Sequence, residues 1–184
     1  DGPEWLAVAC AQKRDASSTL GGTTDADGVI EIWKMLPGDI PRLQLVMEHE
    51  AGTPFHLAWR PSVPVDDSVV GTLAVSYSDA TVRLMDIPNL PENDVASSRV
   101  RATARTSLHV PGTACYSLAW GGPTRLAVGC SNGHVAIWEL NGNEEAPAPL
   151  VDAPLHDTLV SSLAWQMLPP LSVDGIPWHE GHPD

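Results

Sequence analysis

The stretch LAVGCSNGHVAIWEL, residues 126–140, decides how the chain is read. Leu126 to Cys130 is an apolar run with a small residue inside it, and Ser131-Asn132-Gly133 follows as a turn. Asn and Gly accept the positive φ that a hairpin connection demands. Val135, Ile137 and Trp138 are β-branched or aromatic, so the second run also favours a strand. The layout occurs again in LAVSYSDATVRLMDI, residues 73–87. A third copy is split: LAVACAQ begins at Leu6, and ADGVIEIWKM, residues 26–35, supplies the turn and second strand. A Ser/Thr/Gly-rich insertion, Asp15 to Asp25, separates those halves.

A second element repeats between the hairpins. HLAW ends at Trp59, and SLAW ends at Trp120 and again at Trp165, spacings of 61 and 45 residues. The corresponding strand positions Trp33, Met85 and Trp138 are 52 and 53 residues apart. Short strands recurring every roughly 40–50 residues are the mark of a β-propeller. One small four-stranded sheet buries both of its faces only when it stands between two others.

Composition narrows the function. Hydrophobic residues make up 43% of the 184, enough for a core, and 15 Gly with 17 Pro fit a chain of many turns. A net charge of −13 with only 10 Lys and Arg argues against a surface built for nucleic-acid phosphates. No apolar run approaches the roughly 20 residues that span a bilayer, and no leader or transit segment is read at the start. Because the first residue is Asp, the chain is expected to be a piece of something longer. Cys10, Cys115 and Cys130 are odd in number and show no CxxC spacing, so they read as small buried residues in a reducing compartment.

The strand reading gives an all-β protein. Residues 5–10, 29–35 and 42–49 are the last three strands of a first sheet whose opening strand is missing. Residues 55–60, 71–77, 81–87 and 104–110 form a second, with Pro88 to Val100 as a surface loop. Residues 115–120, 125–130, 134–140 and 147–152 form a third, with NGNEEAPAP as a loop. Residues 160–167 open a fourth, and 168–184 are a loop or ragged end. The blades are thus expected at about 5–50, 54–110 and 115–153, with the next starting over 156–167. No helical stripe of useful length is present.

These blocks resemble WD40 repeats. In that family a His precedes the first strand, an Asp sits in the turn before the third, and a Trp lies in the third. Here His49, His109 and His156 precede Trp59, Trp120 and Trp165 by ten, eleven and nine residues. Asp27 and Asp79 fill the turn position, with Asn132 in the last copy; Trp33 and Trp138 fill the strand position, with Met85 between them. The resemblance implies a buried chain of hydrogen bonds in which the turn carboxylate accepts from the His.

The order CYSLAW, LAVGCSNGHVAIWEL, HDTLVSSLAW, after a hairpin followed by a long polar insertion, resembles the WD40 subunits of the RNA polymerase III factor TFIIIC over residues 54–165. That resemblance implies a nuclear protein-docking platform that joins the large TFIIIC subunit in the module recognising the B-box of transfer RNA genes. DNA contact would then be made by the partner, and no cofactor, membrane or small-molecule substrate is implied. A WD40 adaptor of another assembly, such as a ubiquitin-ligase receptor or chromatin factor, is the alternative, and a propeller hydrolase a further one.

Candidates for catalysis are thin. His179-Glu180-Gly181-His182 has its His residues three apart amid Gly and Pro, whereas a zinc protease needs them at i and i+4 on a helix. Asp66-Asp67 and Glu144-Glu145 read as solvated loop pairs. Gly21-Gly22-Thr23-Thr24 lacks the Lys that reaches phosphate. No nucleophile elbow, P-loop or dinucleotide fingerprint occurs, so the chain is read as non-enzymatic, with no metal.

For binding, resemblance to WD40 modules points to the starts of first strands and the residues before the turn Asp. These are Phe55, Tyr116, Ser78 and Ser131, with Arg60 and Arg83 nearby. Rim aromatics are favoured anchors. Against that, residues 55, 57 and 59 share one side of an ideal strand and would pack inward together. His56 and His134 read as polar strand-face residues. Three sheets and part of a fourth do not close a ring, so the chain alone is expected to leave sheet edges and apolar faces uncovered, and to aggregate or stay partly molten.

Overall fold

The computed structural model describes residues 3–11, 28–61, 68–90, 99–141 and 147–166. Asp27, the 15–25 insertion with Gly21 to Thr24, Asp66-Asp67, Glu144-Glu145 and the His179–His182 stretch lie outside them. The described residues form three four-stranded sheets and no helix. The first contains β1 (Glu4–Ala11), β2 (Gly28–Met35), β3 (Arg42–His49) and β7 (Arg99–Arg101). The second contains β4 (Pro54–Trp59), β5 (Val69–Tyr77), β6 (Thr81–Pro88) and β8 (Thr106–His109). The third contains β9 (Cys115–Gly121), β10 (Arg125–Cys130), β11 (His134–Glu139) and β12 (Val151–Pro154).

The three hairpins share one register. Leu6 faces Trp33, Leu73 faces Met85, and Leu126 faces Trp138. Strand alternation sends each such pair to the same side of its sheet. Leu73 and Met85 are buried in the seam between the first and second sheets, with Ile30, Ile32, Leu45 and Val75. Leu126 and Trp138 are buried in the seam between the second and third, with Leu84, Leu108 and Val128. The core is therefore these two seams. Leu6, the equivalent on the first sheet, is 46% exposed, because no described element lies against that side. The architecture is that of a partial, unclosed β-propeller.

The third sheet's far side is crossed by the segment 155–166. Val160 N donates to the Cys130 carbonyl at 3.0 Å, and the Val160 carbonyl accepts from Ser117 Oγ at 2.9 Å. Trp165 Nε1 donates to the Ala119 carbonyl at 3.0 Å. Gly121 admits that indole: a Cβ there would lie 2.7 Å from Trp165 Cδ2.

Three strand expectations change. Val100, read as the end of a loop, belongs to β7, which pairs in parallel with β3 through Val46–Arg99, Met47–Val100 and Glu48–Arg101. Arg99 and Arg101 are held there by ion pairs to Glu48 and Glu50, and Ala102 N donates to the Glu48 carbonyl. The chain thus leaves the second sheet, adds a strand to the first, and returns as β8. The last strand of the third sheet is Val151–Pro154 rather than 147–152. Residues 160–166 form no ladder, since no described strand offers them a partner.

Candidate partner-docking rim

Phe55 and Tyr116 occupy the same place in two sheets. In the second sheet Pro54 pairs with Tyr77 and His56 with Ser76, so Phe55 is an extra residue. In the third, Cys115 pairs with Cys130 and Ser117 with Gly129, so Tyr116 is extra. Each is the unpaired residue of a β-bulge at the start of β4 or β9, the inner strands, which end their sheets and lie against each other. A bulge re-aims its side chain. Leu57 and Trp59 enter the seam with the first sheet, whereas Phe55 leaves that side and is 37% exposed. The inward packing expected of Phe55 alongside residues 57 and 59 does not occur, although Leu57 and Trp59 do turn inward. Phe55 instead stacks on Tyr116, ring centroids 4.3 Å apart and planes inclined by 11°. Such a pair is worth about 0.5–1.5 kcal/mol beyond the area it buries.

Beside it, His56 ties the two inner strands. Its Nδ1 accepts a hydrogen bond from Leu118 N at 2.9 Å. Burial lowers the His56 pKa, which favours the neutral ring that this bond requires.

Ser78 and Ser131 serve the rim from within. Ser78 N donates to the Thr53 carbonyl and Thr53 N to Ser78 Oγ, both at 2.9 Å. Ser131 N donates to the Ala114 carbonyl at 2.9 Å, and Ala114 N to Ser131 Oγ at 3.3 Å. Each serine clasps its turn to the loop entering the inner strand, just before the bulge. Thr113, which sequence reasoning missed, adds a hydroxyl contact to Ser131 Oγ at 2.9 Å and accepts from Asn132 N at 3.4 Å.

The arginines belong elsewhere. Arg60 follows β4, about 17 Å along the strand from Phe55 at ~3.3 Å per residue. Its guanidinium donates to the carbonyls of Pro123 and Leu140 and lies 5.6 Å over the Trp120 ring. Arg83 binds Asp79 at 2.8 Å and lies over Tyr77 at 5.5 Å, inside its own hairpin.

The other positions singled out in the sequence also resolve. Asp79 Oδ1 accepts from Thr81 N and Thr81 Oγ1, and Oδ2 accepts from Arg83. The carboxylate is thus engaged by its own hairpin. The His49 ring is buried against Tyr77, centroids 4.9 Å apart, and close to Gly28. His109 ends β8 opposite Thr81 and is exposed. Asn132 Oδ1 caps the turn by accepting from His134 N at 3.2 Å. His156 N donates to the Gly133 carbonyl, and its ring is exposed. Trp138 is fully buried and donates to the Pro147 carbonyl at 3.0 Å, whereas Trp33 is half-buried and donates to Glu31.

Comparison with known proteins adds one sequence relative and loose structural ones. The chain is 26% identical over 181 residues to transcription factor tau subunit sfc6 of Schizosaccharomyces pombe. The match takes in 95% of this chain and 29% of that protein, so the chain spans less than a third of its relative. No protein-family profile matches. A chain of a humanized mutant Chaetomium thermophilum Polycomb Repressive Complex 2, bound to the inhibitor GSK126, superposes with a TM-score of 0.54 at 16% identity. That match covers 76% of this chain and 29% of the other. The computationally designed Ika4 protein gives 0.49 at 19% identity, covering 78% and 71%.

Proposed function

We propose that the chain is a non-catalytic WD40-type docking platform within a TFIIIC-like nuclear assembly serving RNA polymerase III transcription. The observation that carries the docking reading is the bulge-presented Phe55–Tyr116 stack, two aromatics taken out of their own sheets and held at a rim. Seating a large aromatic pair at the surface has an unfavourable hydration cost that a partner removes. The assembly is read from the similarity to the tau subunit. The partner on this reading is a large protein subunit of that assembly. With a net charge of −13, the chain leaves DNA phosphates to its neighbours.

The test is to tag the chain in its own cells and recover what travels with it. Recovery of TFIIIC subunits, with crosslinking to transfer RNA genes, is expected. Recovery of cullin adaptors or histone-binding complexes in their place would overturn the assignment.

A further inference from the structure

Cys115 and Cys130 sit directly opposite one another across β9 and β10, and both are fully buried in the seam with the second sheet. Alternation along β9 would have put Cys115 with Ser117 and Ala119, on the far side. The bulge at Tyr116 turns it over to the side of Leu118. In the equivalent place the second sheet carries Pro54 and Tyr77.

The pairing geometry suits a bond between the sulfurs. The neighbouring pair, Ala114 and Ser131, exchanges hydrogen bonds through Ser131 N and Ser131 Oγ. The Cys130 carbonyl turns away to accept from Gly133 N and Val160 N. The cysteines therefore occupy the non-hydrogen-bonded position, where opposed Cα atoms approach to about 4.5 Å and side chains are closest. A disulfide requires roughly 4.4–6.8 Å between Cα atoms.

We infer that Cys115 and Cys130 are a reversible dithiol–disulfide pair, closed by exchange with a low-molecular-weight disulfide of the glutathione class. Cys130 attacks as the thiolate, forming a mixed disulfide and releasing one small thiol. Cys115 then loses its proton, and its sulfur attacks the Cys130 sulfur and expels the second small thiol. Two protein thiols are oxidised and one small disulfide is reduced to two thiols. The closeness of the two thiols supports this order, lowering the pKa of Cys130 and raising that of Cys115. Both sulfurs are buried in the seam with the second sheet, so exchange waits on local opening of that seam.

Closure has a local consequence. Cys115 Sγ donates to the carbonyl of Ala80 at 3.8 Å, and Ala80 holds a positive φ of 67° in the Ser78–Asp79–Ala80 turn. Oxidation removes that donor and ties β9 to β10 across the bulge that presents Tyr116. The bond itself does not depend on the docking reading.

The experiment uses the tagged chain, recovered with its native partners and carrying Cys10→Ser so that the exposed thiol does not interfere. It is equilibrated with glutathione disulfide, quenched with N-ethylmaleimide, denatured and mapped by mass spectrometry. A peptide joining Cys115 to Cys130, lighter by two hydrogens and reversed by dithiothreitol, is expected, and Cys130→Ser abolishes it. The inference is overturned if both thiols alkylate quantitatively after exposure that fully modifies Cys10 in the parent chain. A stable glutathione adduct on either cysteine without closure overturns it as well. The readout uses the natural core cysteines, so it does not hinge on a core variant folding.

Discussion

Trp120 Nε1 donates to the carbonyl oxygen of Ala58 at 3.1 Å, across the seam between the second and third sheets. Trp165 Nε1 makes the same bond to Ala119 at 3.0 Å. The repeated triplet Leu-Ala-Trp is thus a stitch. Its Leu enters the seam core, its Ala carbonyl receives the next indole, and its Trp reaches back to the preceding triplet. Ala suits the middle position because its small side chain lets the neighbouring indole approach the backbone.

Trp120→Phe keeps most of the ring packing and removes the donor. A loss of about 1 kcal/mol in unfolding free energy is expected, the usual worth of one hydrogen bond. Trp120→Ala also opens a cavity and is expected to cost about 3 kcal/mol or more. Urea midpoints of the two variants against the parent chain give the comparison.

Gly121→Ala sets a Cβ against Trp165 and is expected to displace the 155–166 segment. Limited proteolysis should then cut between Leu155 and Trp165 several-fold faster than in the parent, since cleavage tracks the population of the open form. An unchanged cutting rate would show that Trp165 does not hold that segment in solution.

Ser78→Ala and Ser131→Ala each break a clasp and are expected to cost about 1 kcal/mol apiece. The two act on different sheets, so the double variant should show nearly the sum in a double-mutant cycle. Ser131→Ala is expected to be the costlier, because it also takes a partner from the buried Thr113 hydroxyl.

His56 gives a pH dependence of known sign. Its pKa is lowered in the fold, so below its ordinary value of 6.5 the unfolded chain binds the proton more readily than the folded one. The bond from Leu118 N therefore stabilises fully above pH 6.5 and is lost as pH falls through and below it. Melting temperature measured from pH 8 to pH 5 should fall more steeply for the parent chain than for His56→Gln. Parallel curves would remove His56 from the seam.

Much of the fold was readable because its signals are local. A turn of Asn-Gly type between apolar runs specifies a hairpin without reference to anything distant, and all three hairpins form. β7 escaped because RVR is three residues long and its partner β3 lies some 50 positions earlier, so pairing rather than propensity makes it a strand. The rim was half legible. The residue types marked Phe55 and Tyr116, but period-two counting assigned Phe55 to the wrong side, because a bulge leaves no trace in composition. The opposed cysteines were invisible for the same reason. Asp79 shows a different limit: family logic assigned its carboxylate to a distant His, while Thr81 and Arg83, two and four residues on, engage both oxygens.

Arg60→Ala provides a control for the rim. It removes bonds to Pro123 and Leu140 at the other end of β4, so it should lower stability while leaving partner recovery unchanged once the protein is folded.

The most direct measurement is recovery of partner proteins by the tagged double variant Phe55→Ala/Tyr116→Ala, beside the parent and Arg60→Ala, at matched levels of folded chain. If the stacked pair is the docking anchor, the double variant loses at least ten-fold in recovered partner while its melting temperature stays within a few degrees of the parent. Full recovery by that variant, or loss of partner equal to that of Arg60→Ala, would contradict a docking site at the rim.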